Sequence, residues 1–117
     1  MTLKLQGVEG AGDLENERVT LRAVSNVNVG AYIVLRAKKS PDGKVFSGAI
    51  PHAYWFDTFS IKAGDWLVLY SKSGQKSQKI TDMNITSYFF YWGQPSPLWT
   101  PDFKPAVIFA TGWEWPG

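Results

Sequence analysis

The sequence predicts an all-β fold, an immunoglobulin-like two-sheet β-sandwich, with a small OB-like barrel as the alternative architecture. Three observations carry this. Seven Pro and eleven Gly interrupt the 117 residues so often that no stretch sustains a 3.6-residue apolar period. Between the interruptions lie short runs of β-branched and aromatic residues, with turn signals roughly every eight to twelve residues, the spacing of a sandwich or barrel. Finally, five aromatics stand in succession, Tyr88-Phe89-Phe90-Tyr91-Trp92. A strand sends alternate side chains to opposite faces, so Tyr88, Phe90 and Trp92 share one face and Phe89 and Tyr91 the other.

Taken in order, Leu3 and Leu5 form a short edge strand, and residues 7–17, rich in Gly and acids, form an arm. Arg18–Val24 alternates cleanly, with Val19, Leu21 and Ala23 on one face. Tyr32–Arg36 is the next strand, and Pro41-Asp42-Gly43 is a turn whose Pro and Gly supply the required backbone angles. Further strands are expected at Lys44-Val45-Phe46 and Tyr54-Trp55-Phe56. In Ile61–Tyr70 a Lys-Ala-Gly-Asp turn, capped by Asp65, feeds a strongly β-prone strand. Ser73-Gly74 ends it, and the polar stretch to Asn84 is a loop with weak strand character. The aromatic strand at 86–92, the connection Pro95-Ser96-Pro97, a last apolar strand Ala106–Ala110 and a tail at 112–117 complete one domain over 1–117. The expected core is Val19, Leu21, Ile33, Leu35, Trp66, Val68, Phe90, Val107 and Phe109.

Several of these strands are apolar on both faces. A domain of this size builds one core, so some outer faces must be covered by the chain's own loops and tail or by another molecule. Six Trp, five Tyr and seven Phe reinforce the point, because Trp and Tyr bury a ring while keeping a polar tip paired, as interfaces require. The charges are also segregated. The N-terminal stretch carries Glu9, Asp13, Glu15 and Glu17 against Lys4, whereas eight bases and three acids lie between Arg36 and Lys79. Such asymmetry orients a partner, which includes a neighbouring copy of the same chain. The expected protein contact residues are therefore Tyr88, Phe90, Trp92, Trp99, Trp113 and Trp115, with Lys38, Lys39, Glu15 and Glu17 as orienting charges. Phe90 stands in both the core and the contact set, since the run 88–92 is apolar on either side.

No chemistry announces a reaction. With no Cys there is no disulfide, thiolate metal site or cysteine nucleophile. His52 is the lone histidine, and Asp57, Asp65, Asp82, Asp102 and Glu114 are scattered without a metal-loop or paired-carboxylate spacing. Ser73-Gly74-Gln75-Lys76-Ser77 lacks the earlier Gly and the adjacent Gly-Lys of a phosphate loop. The expectation is a protein that is not an enzyme and has no cofactor. The N-terminus has no long apolar signal core, no run reaches transmembrane length, and the absence of Cys fits a cytoplasmic or virion setting. A net charge of +2 and the acidic N-terminal stretch argue against nucleic acid as partner.

The segments Ile61–Tyr70, Pro97-Leu98-Trp99-Thr100 and Ala106-Val107-Ile108-Phe109 together resemble the lamin-tail family. That resemblance implies an immunoglobulin-like sandwich. Small stand-alone sandwiches of this kind also resemble bacteriophage head-decoration proteins, which bind and reinforce a capsid lattice. The implied function is a non-enzymatic structural protein of the virion, made in the host cytoplasm. Its partner would be the major capsid protein or another structural protein, or neighbouring copies of itself. The alternative is a carbohydrate-binding module in which exposed Trp and Tyr planes stack on sugar rings.

Overall fold

A computed structural model describes residues 1–38, 40–44, 52–81 and 83–117. Among these residues ten strands follow one another: β1 (Leu3–Glu9), β2 (Arg18–Ala23), β3 (Val27–Asn28), β4 (Tyr32–Lys38), β5 (Ala53–Trp55), β6 (Ser60–Ile61), β7 (Trp66–Tyr70), β8 (Ser77–Ile80), β9 (Thr86–Tyr91) and β10 (Phe103–Phe109). Among the described residues the one helical element is a 3-10 turn at Val29–Ala31, where Asn28 Oδ1 accepts from Gly30 N at 2.9 Å. A five-stranded sheet in the order β1-β2-β7-β9-β8 faces a three-stranded sheet, β10-β4-β5, and β3 and β6 form a small ribbon. The pairings are antiparallel except β7 with β9.

Register decides which side of each strand is inside. In β2, Val19 and Leu21 alternate with Arg18, Thr20 and Arg22, so burying the apolar side leaves the charges in water. Pairing hands that choice to the neighbours: Val19 lies opposite Leu69 and Leu21 opposite Leu67. Leu69 and Leu67 lie in turn beside Phe90 and Tyr88. Leu3, Val19, Leu21, Leu67, Leu69 and Phe90 are accordingly buried from this sheet. From the other come Tyr32 and Val34, with Tyr54 and Val107 packed against them.

Trp66, expected in the core, therefore points outward with Tyr70. Val68 also points outward, although its neighbours cover it. Ile33 and Leu35 likewise give way to Tyr32 and Val34 and line the outer face of the three-stranded sheet. Phe109 sits on the inner side but at the sheet end, where it is 48% exposed and tilts against Tyr32.

Polar ties hold the two layers in place. Thr2 N and Leu3 N donate to the Tyr32 hydroxyl at 3.3 and 3.4 Å, bridging the start of β1 to the opposite sheet. The Arg36 guanidinium lies over the Phe103 ring at 3.8 Å and donates through Nε to Leu98 O at 2.8 Å. Asp65 is buried, and its carboxylate accepts from Lys62 N, Lys62 Nζ and Thr86 N. It caps the turn before β7, as its place in the sequence predicts, and also links that turn to β9. Gly64 in this turn has φ of +92°, a left-handed conformation that glycine adopts without the Cβ penalty.

Three further boundaries differ from expectation. Residues 7–9 belong to β1, with an irregularity in pairing between Leu5 and Gly7, so the acidic arm is reduced to the turn after Glu9. Weak strand character in the polar stretch is realised as β8. The last strand begins earlier than Ala106, at Phe103, with Pro105 inside it, tolerated because β10 is an edge strand. Val45 and Phe46 of the expected strand Lys44-Val45-Phe46, and the acid Asp82, fall outside the described residues. No helix among the described residues is long and apolar enough to cross a membrane.

Candidate interaction surfaces

The expected contact residues separate into three groups. Phe90 and Trp99 are buried at 4% and 2% exposure, and Tyr88 and Trp92 pack against the same core. Their rings interlock between the sheets: Tyr54 stands edge-on to Phe90 and tilted to Trp92, and Trp92 meets Trp99 edge-on. This corrects the assignment of Phe90 and Trp99 to a contact face; Tyr88 and Trp92 are half-buried. The face of the aromatic run that looks outward carries Phe89 and Tyr91 instead.

Glu17 is a second correction, because it is fully buried. Its carboxylate accepts from Gly12 N at 2.9 Å, from Leu98 N at 2.7 Å and from the Ser71 hydroxyl. Three chain segments are thus gathered on one side chain, a structural role in place of an orienting surface charge. A buried acid at the mouth of an alternating strand gives no sequence signal that distinguishes it from its exposed neighbours Asp13 and Glu15.

The remaining residues are at the surface. Glu15 is exposed and lies 3.6 Å from Lys72 Nζ. Lys38 is exposed at the end of β4, and Lys39 falls outside the described residues. Trp113 and Trp115 are 66% and 80% exposed.

The Trp113 ring adjoins an apolar surface that the sequence reading did not single out. On the outer side of the three-stranded sheet, Ile108, Ile33 and Trp55 lie in one cross-strand row, and Ala106, Leu35 and Ala53 in the next. The Trp55 indole donates to Gly30 O at 2.6 Å, which fixes its ring, and Trp113 meets it edge-on at 5.5 Å. Taking roughly 200 Å² for an indole and scaling by exposure, Trp55 and Trp113 leave about 230 Å² open, and Ile108, 43% exposed, enlarges the patch. A contiguous apolar patch of a few hundred Å² on a small protein is often functional. The sequence signal was present in the two-sided apolar character of Tyr32–Leu35 and Ala106–Ala110. What was missing was the parity that turns Ile33 and Ile108 outward.

The grooves lined by described residues are shallow and open. A groove of about 270 Å³ beside β8 is lined by Asp57, Phe59, Lys76, Gln78, Tyr88 and Phe89, among others. Its charged groups pair with each other: the Lys76 ammonium donates to the Asp57 carboxylate, which holds the amine above its ordinary range. Burial, with Asp57 nearby, raises the neighbouring Tyr54 phenol. Among the described residues, no three His, Asp or Glu side chains gather to hold a metal ion. The sequence matches no protein-family model and no curated protein, so surface geometry carries the functional reading.

Proposed function

We propose that this chain is a non-enzymatic structural protein that docks on a larger protein array, in the manner of a bacteriophage capsid decoration protein. The observation that supports this reading is the apolar row Ile108–Ile33–Trp55 on the outer side of the three-stranded sheet, extended by Trp113, with Trp115 exposed two residues further along the tail. An array partner that covers this patch removes the cost of leaving it in water, while the tail, which adds two more indoles, lengthens the contact. Trp113 lies at 88° to Trp55. Two rings set edge-on do not make the flat platform on which a sugar ring stacks, so the geometry favours a protein partner over a glycan.

The test uses the purified chain and purified particles of the source system. Wild type pellets with the particles in saturable fashion, Trp113→Ala and Ile108→Lys weaken pelleting, and soluble oligosaccharides do not compete. Competition by a sugar, or pelleting unchanged in both variants, would overturn the proposal.

A further inference from the structure

The opposite surface of the molecule, the outer side of the five-stranded sheet, is built differently. Cross-strand register places Lys4, Arg22, Trp66, Ser87 and Lys79 in one row. Four strand spacings of about 4.8 Å make that row roughly 19 Å long. The next rows carry Val68 beside Phe89, then Glu9, Arg18, Tyr70 and Tyr91. Cations lie against the rings: Arg22 over Trp66 at 5.1 Å, Arg18 over Tyr70 at 5.9 Å, and Lys72 near Tyr70 at 5.2 Å. Tyr70 and Tyr91 stack at 10°.

The acids that weighed against a polyanionic partner in the sequence are buried, paired or held within their own turn. Glu17 is buried, Glu9 pairs with Arg18, Glu15 pairs with Lys72, and Asp13 accepts from Glu15 N and Asn16 Nδ2 within its own turn. Lys4, Arg22 and Lys79 are exposed, and among the described residues none of them pairs with an acid. The face therefore presents five bases and two acids around four aromatic rings, Trp66, Tyr70, Phe89 and Tyr91. Distance along the sequence hides this grouping, since Lys4, Arg22 and Lys79 come from three strands.

We infer that this face binds single-stranded nucleic acid, with Lys4, Arg22 and Lys79 on phosphates and Trp66, with its covering Arg22 plane, as the stacking station for a base. Charge complementarity selects a polyanion. The rings select one with unpaired planar bases, since a duplex keeps its bases stacked on each other. The inference is independent of the docking proposal, because it concerns the other side of the sandwich.

The experiment is fluorescence anisotropy with a labelled oligothymidylate of about twelve nucleotides. Three freed phosphate contacts on a single strand predict that log K falls with log salt with a slope of about −2. Lys4→Glu with Arg22→Glu leaves one such contact, so binding collapses and any residual slope is about −0.7. Trp66→Ala weakens binding between roughly five-fold and a hundred-fold, whereas Trp66→Phe retains most of it. All three variants are first checked by circular dichroism for native melting. Absence of binding at low salt would overturn the inference, as would equal affinity for duplex or for dextran sulfate. So would a dimer closed over this face that the oligonucleotide does not dissociate.

Discussion

Replacement of Glu17 by Ala separates a structural acid from a surface one. The carboxylate is fully buried and accepts two backbone N–H groups, from Gly12 and Leu98, and the Ser71 hydroxyl. Each buried donor left without a partner costs about 1–3 kcal/mol. The Ser71 hydroxyl can rotate towards another acceptor and the exposed Gly12 N–H can turn to water, so the buried Leu98 N–H sets the scale at roughly 2 kcal/mol. An unfolding entropy of about 2.1 cal/mol/K per residue converts this to a fall in Tm of roughly 8 °C for a chain of this length. Glu17→Gln keeps the shape and one accepting oxygen, so its effect is smaller, about half as large. Urea and thermal unfolding followed by circular dichroism give both numbers. If Glu17→Ala changes stability by less than about 0.5 kcal/mol, the size of an ordinary surface substitution, the buried network does not hold the fold as described. If it also abolishes particle binding while stability is intact, the orienting role expected from the sequence is correct instead.

The other perturbations follow from the turn before β7. Burial alone raises the Asp65 carboxyl, but the N–H groups of Thr86 and Lys62, with the Lys62 ammonium, outweigh it and hold the group below 3.8. A folded value below the unfolded one gives stability that is full above about pH 3.8 and is lost as pH falls through the folded value. Urea midpoints between neutral pH and strong acid should thus fall more steeply for wild type than for Asp65→Asn; parallel curves would remove Asp65 from the account. Gly64→Ala forces a left-handed alanine and should cost about 1–2 kcal/mol by the same urea assay. A neutral result would mean that the turn relaxes to another conformation. Trp113→Ala should leave melting within about 0.5 kcal/mol of wild type, since the ring is 66% exposed, and a larger loss would place the tail in the folded core.

Fold class was legible because β propensity and turn chemistry are local. β2 is the instructive case: its charged residues on one side fix its inner side from sequence alone, and Val19 and Leu21 are core as expected. In β7 every outward-pointing residue is as apolar as its inward neighbours, so Trp66 and Leu67 compete on equal terms. Only pairing with β2, a non-local fact, decides for Leu67. The same applies to Ile33 against Val34. Phe90 is core, one of the two places the sequence reading gave it, whereas Trp99, drawn into the contact set by its aromatic character, is buried from the connection between β9 and β10, where no strand pattern speaks. The exposed indoles of the tail were legible because no strand pattern claims them. The basic row Lys4–Arg22–Lys79 was not, because strand order in a mixed sheet cannot be read from three scattered residues.

Sedimentation of a lysate of the source system through a density gradient, with the native chain and the Ile108→Lys, Trp113→Ala double variant compared by blotting, tests the docking claim most directly. The account predicts that the native chain migrates with particles hundreds of times its own mass of 13.1 kDa and that the variant stays at the top. Both chains remaining at the top, or both reaching the particles alike, would contradict it.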